Sequence, residues 1–540
     1  MSPLVLILGI VFTLFSVITL SYVSMATMVG PWIAPTLVLL GNCFYRLRPA
    51  KNAAQQTEEI ALMQAIGAGG GIIATGIGFA LPMLYFLDEK AFTELLAQPW
   101  YFCGFLAILC LVAGGLGLWF GRWVGPSFLD TQSYQFPVSA LTYRTITAHT
   151  QPLLAKKFMW GSLGTIVMCF FRDGFWRCGG LISKTYHALP SLFGTSIAIS
   201  IWPTLWAIGF SVGTSVALPL FVGLIAKYVV AYPLAHHALW ANFSLFPPMS
   251  VDTFSVAFCS GLILSELLVS LPGYAKKLGL WLRAFPQTST QHFLPLTIAG
   301  KKSHLIELGI ICFSAVLLLS YFSMSLLAQV GLVIFTLVAT RAICQIAGKI
   351  GMLPFGRFST FIVIPLLLIF KLNALQATIV CVFFDICAAT ASDLLFDYKI
   401  GDLCTIDRKK IYRYQWIGLV VTALSIGVIL WLLFTHFQLG SEALFAQRGK
   451  AKALLLQSLH FDKYIVFLGV LFGWVLKYAK LSPTMVFGGL IMPNSISIGL
   501  ILGGLATKLV KNPENAQPFC AGILAVESIW TLLTIATKTL

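Results

Sequence analysis

Ionisable residues gather at one point of an otherwise apolar chain. The stretch Ala388–Lys410 reads AATASDLLFDYKIGDLCTIDRKK and follows directly on the apolar run ATIVCVFFDIC. Only 10% of the 540 residues are charged. A charge at mid-bilayer costs about 2.5–3.5 kcal/mol on insertion scales, so one placed there without a role is not expected. Asp385, Asp393, Asp397 and Lys399 fall on or just past the apolar run. Asp393 and Asp397 share a helix face, being four residues apart, whereas Asp385 lies about 80° around from Asp393. Asp385 and Asp393 are deep enough to read as protonatable or ligand-facing groups. Asp397 and Lys399 read either as part of that site or as its charged exit, meeting water and headgroups.

A second pair of carboxylates stands out by its context. FCSGLILSE ends in Glu266 and FCAGILAVE ends in Glu527, each inside an apolar run. A buried Glu can bind and release a proton as it faces two compartments in turn. The alternative, a neutral Glu hydrogen-bonded between packed helices, stays open for both. His236 and His237 are adjacent, so on a helix they diverge by about 100° and suit a membrane interface better than a metal. The twelve cysteines form no CxxC pair and no zinc spacing, so neither a metal nor a cofactor is expected.

The elements that position these groups follow from composition. Hydrophobic residues make up 58% of the chain and mean hydropathy is +0.89. Soluble domains are about 45–50% apolar and about 25% charged. Apolar runs of about 20 residues, long enough to span roughly 30 Å of hydrocarbon, recur from end to end. They define an all-α polytopic membrane protein of about sixteen spans, with fourteen to sixteen allowed by weak boundaries near 175–205 and 325–371. One of the weak spans lies near 187–202. The first run, PLVLILGIVFTLFSVITLSYVSM, has no basic n-region and is too long for a signal peptide, so it reads as a retained helix. The net charge of +16 sits in short loops between apolar runs. That pattern fits the positive-inside bias rather than nucleic acid, and places both termini in the cytoplasm. RDGFWR, Lys227, the group Arg448, Lys450 and Lys452, and Lys508 with Lys511 are the exceptions to it. No GxxxxGK[ST], HExxH or GxSxG motif occurs, and no loop is long enough for a catalytic domain, which argues against an enzyme.

The chain also matches itself. PTLWAIGFSVGTSVALPLFVGLIA from Pro203 aligns without gaps to PTMVFGGLIMPNSISIGLILGGLA from Pro483, and the FCSGLILSE/FCAGILAVE match follows in the same order. This predicts two parallel repeats of about eight helices, 1–275 and 304–540, joined by a cytoplasmic linker over 276–303. Secondary transporters are commonly built this way, with the substrate between repeats and broken helices beside it. Small residues also serve close helix packing. The best candidates for such breaks are Gly67–Gly71, which includes Gly69 and Gly70, and Met492–Ser497, which includes Pro493 and Asn494.

At these residues the sequence resembles a known family. SDLLFDYKIG (Ser392–Gly401) is similar to the Asp-Leu-x-x-Asp-x-Lys-Thr-Gly signature of the oligopeptide transporter (OPT) family, which includes the yellow-stripe-like carriers of metal chelates. QAIGAGGGIIATGIGFALP, starting at Gln64, resembles its early Gln-Thr-x-x-Ser-Ala-Gly segment. QFPVSALT resembles its Phe-Pro-x-Gly-x-Ala loop, and GGLIMPNSISIGLILGGL with CAGILAVES resembles its last two helices. Ile400, Ser139 and Arg144 depart from the family pattern. The resemblance implies a symporter of the cell membrane that imports oligopeptides, or alternatively metal chelates, with protons. From another class, a passive channel remains the rival. Asp385, Asp393, Asp397, Lys399, Glu266, Glu527, Gln64, Gly69, Gly70, Pro493 and Asn494 make up the expected substrate and ion path. The short loops suggest a bacterial inner membrane, and a homo-oligomer is left open.

Overall fold

The structure is a computed structural model that describes residues 3–231 and 298–530 with short interruptions, together with scattered positions between 254 and 268. Its helices, in chain order, begin with α1 (Pro3–Ala26), α2 (Ala34–Leu47), α3 (Ala53–Ala80), α4 (Met83–Leu87), α5 (Glu89–Leu96) and α6 (Pro99–Leu129). There follow α7 (Pro137–Thr147), α8 (Pro152–Asp173), α9 (Pro203–Val212) and α10 (Thr214–Ala226), the last running into a π-turn at Lys227–Ala231. The later helices are α11 (Ile298–Tyr321), α12 (Leu326–Ile350), α13 (Phe355–Phe370), α14 (Ala374–Leu403) and α15 (Arg408–His436). The series closes with α16 (Gln447–Gln457), α17 (Lys463–Tyr478), α18 (Pro483–Ile491) and α19 (Asn494–Ala506).

Two strands, β1 (Thr185–Leu192) and β2 (Thr195–Ser200), pair antiparallel with Thr185 opposite Ser200. They correct the expectation of a membrane helix near 187–202, and with it the all-α reading at that one place. Pro190 interrupts the helical hydrogen-bond ladder, and the alternating Thr195, Ile197 and Ile199 favour a pleated strand.

The chain divides into two compact units, and each draws on both sides of the expected linker. Unit 1 holds Met1–Ser24, Gly30–Lys156 and Leu282–Gln438; unit 2 holds Met25–Val29, Lys157–Trp281 and Leu439–Leu540. Among the described residues, six stretches are long and apolar enough to cross a membrane: Pro3–Ala26, Ala54–Leu87, Pro99–Leu129, Leu326–Gly348, Ala374–Leu403 and Arg408–His436.

Within unit 1, α14 is the central element, packed against α3, α6, α7, α12, α13 and α15. Its start is locally encoded. The Asn373 side chain accepts from Gln376 N at 2.8 Å, and Gln376 Oε1 accepts from Asn373 N at 3.1 Å, a reciprocal capping box. Its end is equally defined. Ile406 N closes on Gly401 O at 2.8 Å, Thr405 takes a left-handed conformation, and Asp407 caps α15 through Lys409 N. Arg408 grips Asp402 with two bonds of 2.9 and 2.7 Å across this turn. Elsewhere apolar side chains face outward: Ile310, Phe313 and Leu317, on one face of α11, are 62%, 65% and 57% exposed. Such a face suits hydrocarbon, as the family of spans requires.

The glycine run Gly67–Gly71 was expected to break its helix. It does not: α3 is continuous from Ala53 to Ala80, and Pro82 lies beyond its end. An uninterrupted backbone keeps every N–H and C=O bonded inside the helix, and the glycines serve close packing instead. Residues Met492 and Pro493 of the second expected break lie outside the described residues.

In unit 2, α9 and α10 meet at Gly213, whose φ of +73° a side chain would resist. The boundaries Pro203, Thr214 and Ala226 are matched in the ungapped sequence alignment by Pro483, Asn494 and Ala506, which bound α18 and α19. The packing is reciprocal too. A Cβ on Gly209 would lie 2.3 Å from Leu500 O, and one on the aligned Gly489 would lie 2.2 Å from Leu220 O. A Cβ on Gly503 would lie 2.2 Å from Trp206 O, and one on Gly223 would lie 2.1 Å from Val486 O. So α9 crosses α19 as α18 crosses α10, with backbones too close for any side chain. Overpacking such a crossing costs about 1–3 kcal/mol or more. Gly503→Val should therefore lower the melting temperature in detergent by several degrees, while Gly164→Val, whose Cβ meets nothing within 4 Å, should leave it unchanged.

Candidate translocation site

Three helices of unit 1 bring the deep aspartates together with two glutamines. Gln64 on α3 donates from Nε2 to Asp397 Oδ1 at 2.9 Å. Gln415 on α15 donates from Nε2 to Asp393 Oδ2 at 2.8 Å and, in a short contact, to Asp397 Oδ2. One amide nitrogen thus spans two carboxylates. Asp393 and Asp397 are each 2% exposed, Gln64 is 1% exposed and Gln415 2% exposed. Gln64 Oε1 is buried and accepts no hydrogen bond.

The register of α3 against α14 explains how sequence places these groups. Gln64 meets Asp397, Gly69 meets Asp393 and Gly76 meets Asp385, so α3 advances as α14 runs back. The two helices are antiparallel and in step over about 18 Å of axis at 1.5 Å per residue. A Cβ at Gly69 would lie 3.0 Å from Gln415 Oε1 and 3.1 Å from Asp393 Oδ2. Glycine there leaves just enough room for the network. Gly70 faces the neighbouring polar contact instead, where its Cβ would lie 2.7 Å from Thr422 Oγ1. Asp385 is fully buried, with Gly76 against its backbone and Cβ.

Asp397 is therefore not at a charged exit, as one reading had it. The helix continues beyond it to Leu403, and Phe396 beside it is clamped by several groups. Ser139 Oγ donates to Phe396 O at 2.9 Å, and the rings of Trp32 and Phe136 meet Phe396 edge-on at 4.7 and 6.0 Å. The FPVSA segment thereby docks on α14 between the two aspartates. Phe136 holds a φ of +46° and donates its N–H to Gly348 O at 2.8 Å to reach that position. Lys399 is half-buried.

Several other carboxylates of unit 1 sit beside cations. Arg122 Nη1 lies 3.4 Å from Glu307 Oε2 with Tyr412 donating to the same carboxylate, Lys410 pairs with Glu58, and Arg408 pairs with Asp402. The partners of Asp393 and Asp397 are amides alone among the described residues. An ion taken from water without an opposite charge is costly, so a proton or a cationic group is the natural occupant of such a pair.

Glu527 is in unit 2 and has a different setting. It pairs with Arg172 in a short contact, and its Oε2 accepts from Thr204 N at 2.7 Å, which caps the first turn of α9. Arg172 also contacts Asp173 at 2.7 Å. Arg172 and Asp173, which open the RDGFWR exception in the charge pattern, thus belong to a buried ion network, since Arg172 is only 5% exposed. Asn494 is also in unit 2, where it accepts from Lys227 Nζ at 3.2 Å and donates to Tyr228 OH. Glu266 and Pro493 lie outside the described residues. Sequence reasoning missed Gln415, the centre of the carboxylate network. Its signal was an amide in the first turns of an apolar helix, which is weak by itself.

With this geometry in place, the class is a polytopic helical membrane protein with a buried carboxylate pair in one bundle. Residues 304–521 match the sequence model of the OPT oligopeptide transporter protein family. This segment is similar to that family and includes α14, α15 and the helices α16 to α19. No curated protein matches the chain.

Two outcomes follow from these contacts. Gly69→Leu should dismantle the network and lower the melting temperature by several degrees, while Gly69→Ala, which asks its neighbours to give by a few tenths of an ångström, should fold as wild type. Glu527→Gln leaves Arg172 without that charge partner, and breaking a buried pair costs about 3–5 kcal/mol. A marked drop in thermal stability of the purified protein is the expected result.

Proposed function

We propose that the protein is a secondary active transporter that takes up short peptides together with protons. The observation that supports this most directly is the single Gln415 amide shared by Asp393 and Asp397, with Gln64 on the far side. Two carboxylates accepting from one nitrogen are best relieved by a proton on one of them. A protonated Asp397 becomes a donor. Gln64 can then turn its amide by half a rotation and accept with Oε1, the atom that is otherwise buried without a partner. The α3–α14 contact thereby has two arrangements, one for each protonation state, and alternating access needs such a two-state element. Asp385, one long step further along α14, extends the same polar path.

The family match supports transport of peptide-type substrates and argues against an enzyme. A duplicated unit of about eight helices, giving about sixteen in all, is part of the same proposal. The matched helix boundaries and reciprocal crossings of α9, α10, α18 and α19 support it. A cytoplasmic position of both termini is part of the proposal, and the charge pattern supports it.

The test is uptake of labelled di- to hexapeptides and of iron or nickel chelates into proteoliposomes, with and without an imposed inward proton gradient. Accumulation above equilibrium that a protonophore collapses is the expected result; flux that only equilibrates would assign a facilitator. Asp393→Asn should abolish accumulation while the variant still inserts and purifies as a single species. Gln64→Leu should slow gradient-driven uptake by about tenfold and shift its pH profile, because Asp397 loses the amide that distinguishes its two states.

A further inference from the structure

Arg341 is a cation that neither the loops nor the carboxylate site accounts for. It stands on α12 inside Leu326–Gly348, one of the six stretches apolar enough to cross a membrane. A cation that deep is costly unless it is paired or reaches the membrane surface. Its Nε is buried without a hydrogen-bond partner, and no carboxylate pairs with it among the described residues. The carboxylates of unit 1 that take cations use Arg122, Lys410 and Arg408 instead.

The contacts of α12 show where the guanidinium goes. Thr340 Oγ1 lies 3.9 Å from Cys387 Sγ and Cys344 Sγ lies 3.7 Å from Ser392 Oγ, so α12 runs parallel to α14. Helix α6 does the same: a Cβ on Gly117 would meet Cys387 O, one on Gly121 would meet Ala391 O, and one on Gly125 the Tyr398 ring. Thr340 and Gly117 thus stand at the same level. Phe128 lies eleven residues beyond Gly117, about 16 Å along α6 at 1.5 Å per residue. Yet the Arg341 guanidinium carbon sits 5.7 Å from the centre of the Phe128 ring. The side chain is therefore stretched along the helix axes toward their shared C-terminal end, as a cation is when it snorkels from hydrocarbon to a membrane surface. Packing fixes that end point. Tyr134 meets the Phe128 ring edge-on at 5.1 Å and also lies against Gly348, two turns past Arg341 on α12.

The outward stripe of α12 indicates what the guanidinium meets there. Leu327 and Ile334 are 74% and 55% exposed, and Arg341 follows at the same spacing of two turns. Gln345 is one turn further on. Both Arg341 and Gln345 are half-buried, and neither side chain has a hydrogen-bond or ion-pair partner among the described residues. An apolar, outward stripe that ends in a guanidinium and an amide matches an acyl chain ending in a phosphate. The guanidinium presents forked donors to phosphate oxygens, and basic pockets between membrane helices hold anionic head groups. Lys349 on the last turn of α12 and Arg357 on the first turn of α13 add positive charge at the same end.

We propose that Arg341 and Gln345 form a binding site for the phosphate of an anionic phospholipid, whose acyl chain lies on the stripe through Ile334. The site rests on the chain spanning a membrane, and it stands whether or not the protein transports peptides with protons.

The test is thermal melting of the purified full-length protein in detergent, alone and with dioleoylphosphatidylglycerol, dioleoylphosphatidylcholine, inorganic phosphate or trialanine. Phosphatidylglycerol should raise the wild-type melting temperature by several degrees, with little gain from phosphatidylcholine and none from inorganic phosphate. Arg341→Gln should lose most of that gain, Gln345→Leu part of it, and Arg341→Lys should restore part. Lys477→Gln, at the end of α17, should keep all of it. Without lipid, Arg341→Gln should melt no lower than wild type, because no described partner is lost. Should Arg341→Gln not purify as a single species, Gln345→Leu carries the comparison together with native mass spectrometry. There, wild type should retain at least fivefold more phosphatidylglycerol than phosphatidylcholine from an equal mixture. Equal effects or equal retention of the two lipids, or the full gain in Arg341→Gln, would overturn the proposal. So would a gain from inorganic phosphate that matches the lipid, which would assign a soluble anion. A gain from trialanine that Arg341→Gln abolishes would place the residue on the substrate path instead. Asp130, two residues past Phe128, lies outside the described residues. A loss of lipid-free stability shared by Asp130→Asn and Arg341→Gln would give the guanidinium an internal partner and likewise remove the lipid site.

Discussion

Everything in unit 1 is arranged around the difficulty of keeping two carboxylates inside an apolar bundle. Asp393 and Asp397 lie on a helix whose most apolar window is wholly buried, and their partners are the amides of Gln64 and Gln415. Ionised groups in such surroundings are stabilised by opposite charge or lose their charge. This bundle does supply opposite charge to Glu307, Glu58 and Asp402. It offers the central pair neutral donors instead. The glycines of α3 then become a requirement, since a side chain at position 69 would meet the network at 3.0 Å.

The two units handle buried charge in different ways. In unit 1 the buried pair Asp393 and Asp397 is held by amides. In unit 2 Glu527 is paired with Arg172 and caps the first turn of α9.

Glycine carries much of the architecture, through close approach rather than flexibility. At Gly209, Gly489, Gly223 and Gly503 the neighbouring backbone carbonyl lies where a Cβ would be, at 2.1–2.3 Å. Helices at this distance gain dense packing without bulky side chains, which is how helices associate when the surroundings are as apolar as their own side chains. The same economy explains why Gly67–Gly71 forms continuous helix where a break had been expected.

Much of this was legible in the sequence, for definite reasons. Apolar length reports a membrane span directly, since the hydrocarbon thickness is fixed. A carboxylate inside such a span is conspicuous at any position, so Asp385, Asp393 and Glu527 declared themselves, and the SDLLFDYKIG motif pointed to the family that residues 304–521 match. What the sequence could not convey were contacts between residues far apart in the chain. The pairing of Gln64 with Asp397 depends on the antiparallel register of α3 and α14, and Gln415 gains its role only because α15 turns that face inward. Asp397 looked like an exit because its depth is set by α3, α7 and α15 around it, not by its neighbours in sequence. The strands at Thr185–Leu192 and Thr195–Ser200 were hidden by an apolar composition common to buried strands and helices, which periodicity alone does not separate. Local composition determined which segments leave water, because transfer free energy adds up residue by residue. Tertiary packing decided which polar groups meet, because a hydrogen bond requires two atoms to come within about 3 Å, and only the folded bundle brings them there.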